Sequence, residues 1–144
     1  ALEEAHRTRL VHRDIKPGNI MLEDVGRDVP FAVKLIDFGL AKRGGGDTVS
    51  MPQAVSGTLP FMSPEQLRGM EPDPRMDLWA IGISMFQGLT GKLPFDHPDN
   101  AVLMQRIFNN PAPDVRWAAP GRGISPAIAA VVAKSLEKNP AARF

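Results

Sequence analysis

His12-Arg13-Asp14-Ile15-Lys16-Pro17-Gly18-Asn19 places a carboxylate, an ammonium and a carboxamide close together in one short stretch, with Pro17 and Gly18 marking a tight turn. Phosphoryl transfer needs little covalent help from a protein. It does need a carboxylate to position the attacking hydroxyl, a cation for developing charge, and oxygen ligands for magnesium. Asp14, Lys16 and Asn19 can supply one each. Taken alone, the same residues are explained better by Asp and Asn capping a turn that precedes a strand. They do not stand alone.

Upstream, residues 1–9 are rich in Ala, Leu, Glu and Arg and read as the last turns of a helix that delivers the chain into Leu10 and Val11. Downstream, residues 20–22 and 32–36 are short apolar runs separated by polar EDVGRD, which predicts two strands joined by a turn. The second run ends on Asp37-Phe38-Gly39. An Asp at a strand end, followed by Gly and opening a loop, suits a metal-binding carboxylate brought to the same place as Asn19. The plainer reading of Asp37 is an ordinary turn residue. Residues 40–62 show no sustained periodicity and are rich in Gly, Ser and Thr, so they read as a long loop.

The remainder is helical in pattern. Residues 76–89 are apolar around almost the whole circumference, which predicts a buried central helix stopped by Gly91 and Pro94. Residues 98–109 fit a surface helix with Leu103, Met104, Ile107 and Phe108 inward. In SPAIAAVVAKSLEK, Ser125 suits an N-cap and Pro126 the first helical position, and Ile128, Val131, Val132, Ser135 and Leu136 are expected on one face.

Bulk properties exclude more than they assign. The 144 residues suffice for one domain, 1–144, with a core. A net charge of +1 gives no field that would recruit nucleic acid or an anionic membrane. The absence of cysteine rules out a disulfide framework and thiolate metal sites. No apolar run approaches the roughly 18 residues a spanning helix needs, and residues 1–9 lack a signal-peptide pattern. A chain that opens on ALEEAH and stops on AARF is expected to be cut from something longer.

With HRDIKPGN and DFG in this order, the chain resembles the eukaryotic-like (Hanks-type) serine/threonine protein kinase family. The likeness continues through GTLPFMSPE at residues 57–65, DLWAIG at 77–82 and KNPAARF at 138–144, and so covers essentially the whole sequence. FMSPEQLRG and the simple activation segment resemble bacterial members more than most eukaryotic ones. The resemblance implies a mainly helical α+β fold, the C-terminal lobe of a kinase with a small β-ribbon and without the N-terminal lobe.

The same resemblance makes Asp14 the catalytic base or hydroxyl-positioning group and Lys16 a contact to the transferred phosphate of ATP. It makes Asn19 and Asp37 ligands of Mg2+. Arg13 marks the subclass whose activation loop is held through a phosphate, since a guanidinium binds phosphate bidentately. Thr48, Ser50 and Ser56 are the candidate phosphosites, although a solvated loop explains each of them equally well. Lys16 together with Thr58 resembles serine/threonine rather than tyrosine kinases, and Leu59 and Pro60 stand where the family reads the residue after the acceptor. Structural roles fall to Glu65 paired with Arg143, Asp77 accepting from the catalytic-loop backbone, His12 packed against Phe38, and Gly39. The implied partners are protein substrates and a missing N-terminal lobe, with no nucleic acid and no membrane contact by this segment. The implied location is cytoplasmic, in a family whose full-length bacterial members are often membrane-anchored.

No residue here fills the family's Gly-rich strand pair, strand Lys or helix Glu; Gly44 to Gly46 fall inside the activation loop and Gly121 comes too late. Little or no ATP turnover is therefore expected from these residues alone, with apolar surface exposed near 20–22 and 36–40. Two alternatives compete. A non-catalytic kinase-lobe binding module would be favoured by loss of Asp14 or Asp37, and neither is lost. A small-molecule phosphotransferase of kinase-like fold is not expected to carry the GT, SPE and Arg143 apparatus.

Overall fold

The structure, a computed structural model, describes residues 2–24, 26, 31–37, 42–43 and 57–144, with backbone alone at 42 and 43. A short helix α1 (Leu2–Arg7) leads into β1 (Leu10–Val11), and a 3-10 turn at Pro17–Asn19 leads into β2 (Ile20–Glu23), followed by β3 (Ala32–Leu35) and β4 (Lys42–Arg43). The helices α2 (Pro64–Leu67), α3 (Pro74–Thr90), α4 (Asn100–Asn109), α5 (Val115–Ala118) and α6 (Pro126–Ser135) follow. β2 and β3 form the expected antiparallel ribbon, with Ile20 opposite Leu35 and Glu23 opposite Ala32. A second ribbon pairs β1 with β4, Leu10 opposite Arg43. Strands of two residues have no room to show alternation, so this pairing, inside what reads as a loop over 40–62, left no periodic signal.

The central helix starts two residues earlier than its apolar run. Asp73 caps it by accepting a hydrogen bond from the Arg75 N–H, Pro occupies its first turn, and it ends at Gly91 in the left-handed region, φ 74°. Trp79, Ile83 and Phe86 on α3 are fully buried and meet Phe95, Leu103, Ile107, Val115 and Val132 in one core. Each such side chain contributes about 1.5–3 kcal/mol on burial.

α6 buries part of the face its sequence suggests: Val132, Ser135 and Leu136 turn inward as expected, and Ile128 and Val131 do not. Ala129, Val132, Ser135 and Leu136 are buried, whereas Ile128 and Val131 are 41% and 40% exposed. The contact is tightest at Gly82, where an added Cβ would stand 2.8 Å from Ser135 Cβ and 2.9 Å from Leu136 Cδ2. The two helices approach closely at Gly82, where Ser135 and Leu136 fill the space a side chain would need. Gly82→Ala is expected to destabilise the protein by about 1–3 kcal/mol, read as a lowered urea midpoint, because the added methyl meets side chains held by their own helix.

α4 is capped by Asp99, which accepts from the Ala101 and Val102 N–H groups, and buries Leu103 and Ile107. Met104 and Phe108 are only half-buried, and the Arg68 guanidinium covers the Phe108 ring at 4.7 Å. Its last turn is tied down by Lys138, whose Nζ donates to the Ile107 carbonyl at 2.6 Å and stands 3.9 Å from the Phe95 ring centroid and 4.8 Å from that of Trp79. Burial, and then the nearby Arg143 guanidinium, push the Lys138 amine down to about 8. Below pH 8 folded and unfolded chains both hold this proton; between 8 and 10.5 the unfolded chain holds more, so stability climbs with pH. After discounting for partial exposure the expected gain is roughly 1 kcal/mol, absent in Lys138→Met, and denaturant midpoints at pH 7.5 and 9.5 measure it.

The β2–β3 ribbon exposes apolar side chains at Met21, Leu22 and Val33, as does Ile36 just beyond it, while Ile20 is half-buried; Leu40 lies outside the described residues. An apolar groove lined by Pro17, Ile20, Leu22, Ile81, Met85 and Gly88 runs between the ribbon and α3. Among the described residues, no helix is long and apolar enough to cross a membrane.

Candidate active site

The loop from His12 to Asn19 is built on the N-terminal half of α3. Asp77 is fully buried, and its carboxylate accepts from the His12 N–H at 2.9 Å and the Arg13 N–H at 2.8 Å. Arg13 takes φ 66°, a left-handed conformation that a non-glycine residue keeps only when its surroundings enforce it. The Gln66 side-chain amide supplies a further tie by donating to the Arg13 carbonyl at 2.9 Å. The His12 ring is fully buried as well. The Asp14 N–H donates to Nδ1 at 3.3 Å, which makes Nε2 the protonated nitrogen, and Nε2 donates to the Ile36 carbonyl at 3.2 Å.

These ties hold Asp14 at the mouth of a small polar cluster. Lys16 Nζ donates to both Asp14 oxygens, at 3.1 and 2.9 Å, and to Thr58 Oγ1 at 3.1 Å. Asn19 Nδ2 donates to the Asp14 carbonyl at 2.8 Å and to Oδ2 at 3.1 Å. With the amide nitrogen engaged, Oδ1 is the atom of Asn19 left to serve as an oxygen ligand. The Ile36 N–H donates to the Asn19 carbonyl at 3.0 Å, so Asp37, exposed and left-handed at φ 61°, follows directly on a backbone bonded to Asn19. The ribbon thus brings the backbone beside Asp37 to the end of the His12–Asn19 loop although Asp37 lies 18 positions beyond Asn19.

Glu65 and Arg143 meet in the interior, Nη1 to Oε1 at 2.5 Å and Nη2 to Oε2 at 3.0 Å, a bidentate pair with neither side chain more than 3% exposed. The guanidinium also donates to the Arg75 and Glu137 carbonyls and lies 5.1 Å from the Trp79 ring centroid. Of Thr58, Leu59 and Pro60, Thr58 accepts from Lys16 of the His12–Asn19 loop, Leu59 turns into the core and Pro60 is half-buried. Phe38, Gly39, Thr48, Ser50 and Ser56 lie outside the described residues.

His6 and Gln66 are absent from the sequence-based site, although both bond to its frame. His6 left no signal, being one polar residue in a short polar helix. Gln66 follows Glu65 directly in the SPE motif, so its proximity was readable but its target was not.

A protein kinase domain model matches residues 1–144, the entire chain. The chain is 42% identical over 149 aligned residues to the serine/threonine-protein kinase pkn3 of Myxococcus xanthus, covering 99% of this chain and 27% of that protein. It is 38% identical over 148 residues to the serine/threonine-protein kinase PknB of Mycobacterium tuberculosis, covering 100% of this chain and 22% of that protein. The chain therefore spans about a quarter of the length of these curated relatives.

Proposed function

Because this chain belongs to the protein kinase family, among the Hanks-type serine/threonine kinases of bacteria, we propose that it is the C-terminal lobe of a catalytic domain that phosphorylates proteins. The whole kinase transfers the γ-phosphoryl group of ATP to Ser or Thr hydroxyls. The observation that carries this reading is the cluster of Asp14, Lys16, Asn19 and Thr58, with Asp37 on the adjoining backbone.

In this reading Asp14 accepts a hydrogen bond from the acceptor hydroxyl, orients its oxygen towards the phosphorus and takes up its proton. Lys16, now shared by Asp14 and Thr58, turns to the transferred phosphate and offsets its charge. Asn19 Oδ1 and the Asp37 carboxylate would hold Mg2+, a hard cation bound through few protein oxygens plus substrate phosphates. That ion would neutralise charge on the β- and γ-phosphates. Both donors are oxygens, the ligand type Mg2+ takes, on residues whose backbones are joined through the Ile36 N–H, which fits it. Arg13 Nε is buried with no hydrogen-bond partner among the described residues, which suits a guanidinium that receives a phosphate from the activation segment at Thr48, Ser50 or Ser56. Pro60 and the backbone around Thr58 border the peptide acceptor.

Turnover also needs elements that clamp ATP from the other side, and the exposed apolar side chains of the ribbon region, Leu22 and Val33 among them, are surface they would cover. The catalytic segment works in the cytoplasm, where ATP is available. The test is ATP hydrolysis and phosphate transfer by this chain beside a version extended upstream through the reading frame. Activity confined to the extended protein supports the proposal; an extended protein that neither binds nor turns over ATP overturns it and favours a binding lobe.

A further inference from the structure

Among the described residues Lys138 pairs with no carboxylate. Its Nζ instead donates to the Ile107 carbonyl at 2.6 Å, beside the faces of Phe95 and Trp79. The Asn110 N–H takes the Arg106 carbonyl, which leaves that of Ile107 among the final carbonyls a helix cannot satisfy internally. An ammonium there suits both the negative end of α4 and the ring faces. Stability alone does not ask for it. Burial, and then the Arg143 guanidinium, lower the amine to about 8, a cost that an apolar side chain of similar length would avoid.

What the contact fixes is the place of the helix end. Ile107 is fully buried and shares one core with Leu59 and Phe61. α4 packs against the 3-10 turn Leu59–Phe61, which follows directly on Thr58, the residue that accepts from Lys16. That turn closes through the Phe61 N–H on the Thr58 carbonyl at 3.0 Å and the Met62 N–H on the Leu59 carbonyl at 3.1 Å. The start of α4 has its own Asp99 cap, and Arg106 donates to the Asp96 carbonyl at 2.6 Å, so both of these ties lead back to the segment before the helix. Lys138 supplies a tie from the opposite direction, beyond α6. We propose that Lys138 is a positioning residue for the peptide-binding side of the protein, seating the end of α4 against the Leu59–Phe61 turn by holding the Ile107 carbonyl. The consequence for peptide binding rests on the kinase reading; the seating of α4 does not. A helix released at its last turn frays from that end, and fraying at Ile107 loosens the part of the core on which the turn packs.

The test uses Lys138→Met, which keeps the apolar stem without a donor, and Lys138→Arg, which restores a cationic one. Hydrogen exchange is followed in the full-length protein at the Phe108, Asn109 and Asn110 amides and at those of Phe61 and Met62, with amides of α3 as internal references. Lys138→Met is expected to speed exchange at both places about tenfold, the worth of one charge-assisted hydrogen bond, while the α3 amides and the urea midpoint at pH 7.5 hold. Lys138→Arg is expected to bring exchange back. In the active enzyme, with casein as the protein substrate, Lys138→Met should raise KM for casein with kcat and KM for ATP unchanged, and Lys138→Arg should recover it. Unchanged exchange at Phe61 and Met62 in Lys138→Met, equal acceleration in both variants, or acceleration spread uniformly to α3 would each overturn the proposal. A full-length protein that transfers no phosphate to casein would count against the kinase reading alone, since exchange still decides the role of Lys138.

Discussion

Asp14→Asn in the protein extended to carry its ATP-clamping elements is expected to lower phosphoryl transfer by about 10^2–10^4-fold, the range removed with a positioned general base. The substitution is nearly isosteric and keeps an oxygen able to accept from Lys16 and Asn19, which now bond to the carboxylate. It removes the charge that draws the acceptor proton. The frame beneath does not depend on that charge, because Asp77, Gln66 and His12 hold the loop through its backbone. Stability should change by no more than about 1 kcal/mol. Initial rates and a denaturation curve on the same preparation separate the two effects. A comparable loss of rate and of stability would mean that Asp14 holds the loop together instead of acting on substrate.

Glu65→Ala is expected to cost about 3–5 kcal/mol, a large share of the roughly 5–15 kcal/mol that holds a domain of this size folded. Removing the carboxylate leaves the Arg143 guanidinium buried against Trp79 without a counter-charge. The remaining carbonyl partners, of Arg75 and Glu137, offset only part of that penalty. The surface pair Lys34–Glu23, at 58% and 49% exposure, gives the comparison: breaking it should cost less than about 1 kcal/mol. Arg143→Met in the Glu65→Ala background should recover stability, because the cost lies in the uncompensated charge and an apolar side chain removes it. Urea midpoints of the three variants read the effect directly. The pair also joins α2 to the chain beyond α6, so its loss should loosen both.

Much of this frame was legible in the sequence because its physics is local. Pro74 after Asp73 and Pro126 after Ser125 announce helix starts through capping, and the unbroken apolar girth of α3 announces a central position. HRDIKPGN concentrates side chains that no packing requirement would bring together. What stayed hidden depends on pairs distant in sequence. How far the buried face of α6 extends depends on the helix it meets: Ile128 and Val131 looked as suitable for the core as Val132, yet only Val132 of the three is buried. The β1–β4 ribbon is two residues long, too short for a pattern. His6 looks like any polar residue of an exposed helix until Asp77 is found beside it. Lys138 reads as a surface lysine, and only the stacked Trp79 and Phe95 rings, 5.9 Å apart, show where its amine lies.

The measurement that tests the central claim most directly is the fate of the ATP γ-phosphate. The extended protein is incubated with γ-labelled ATP, magnesium and a generic protein substrate, and the labelled product is hydrolysed to its phosphoamino acids. Phosphoserine or phosphothreonine, formed only with magnesium and lost in Asp14→Asn, is the predicted result. Label found only in free phosphate or a small molecule, only in phosphotyrosine, or undiminished in Asp14→Asn would contradict the account.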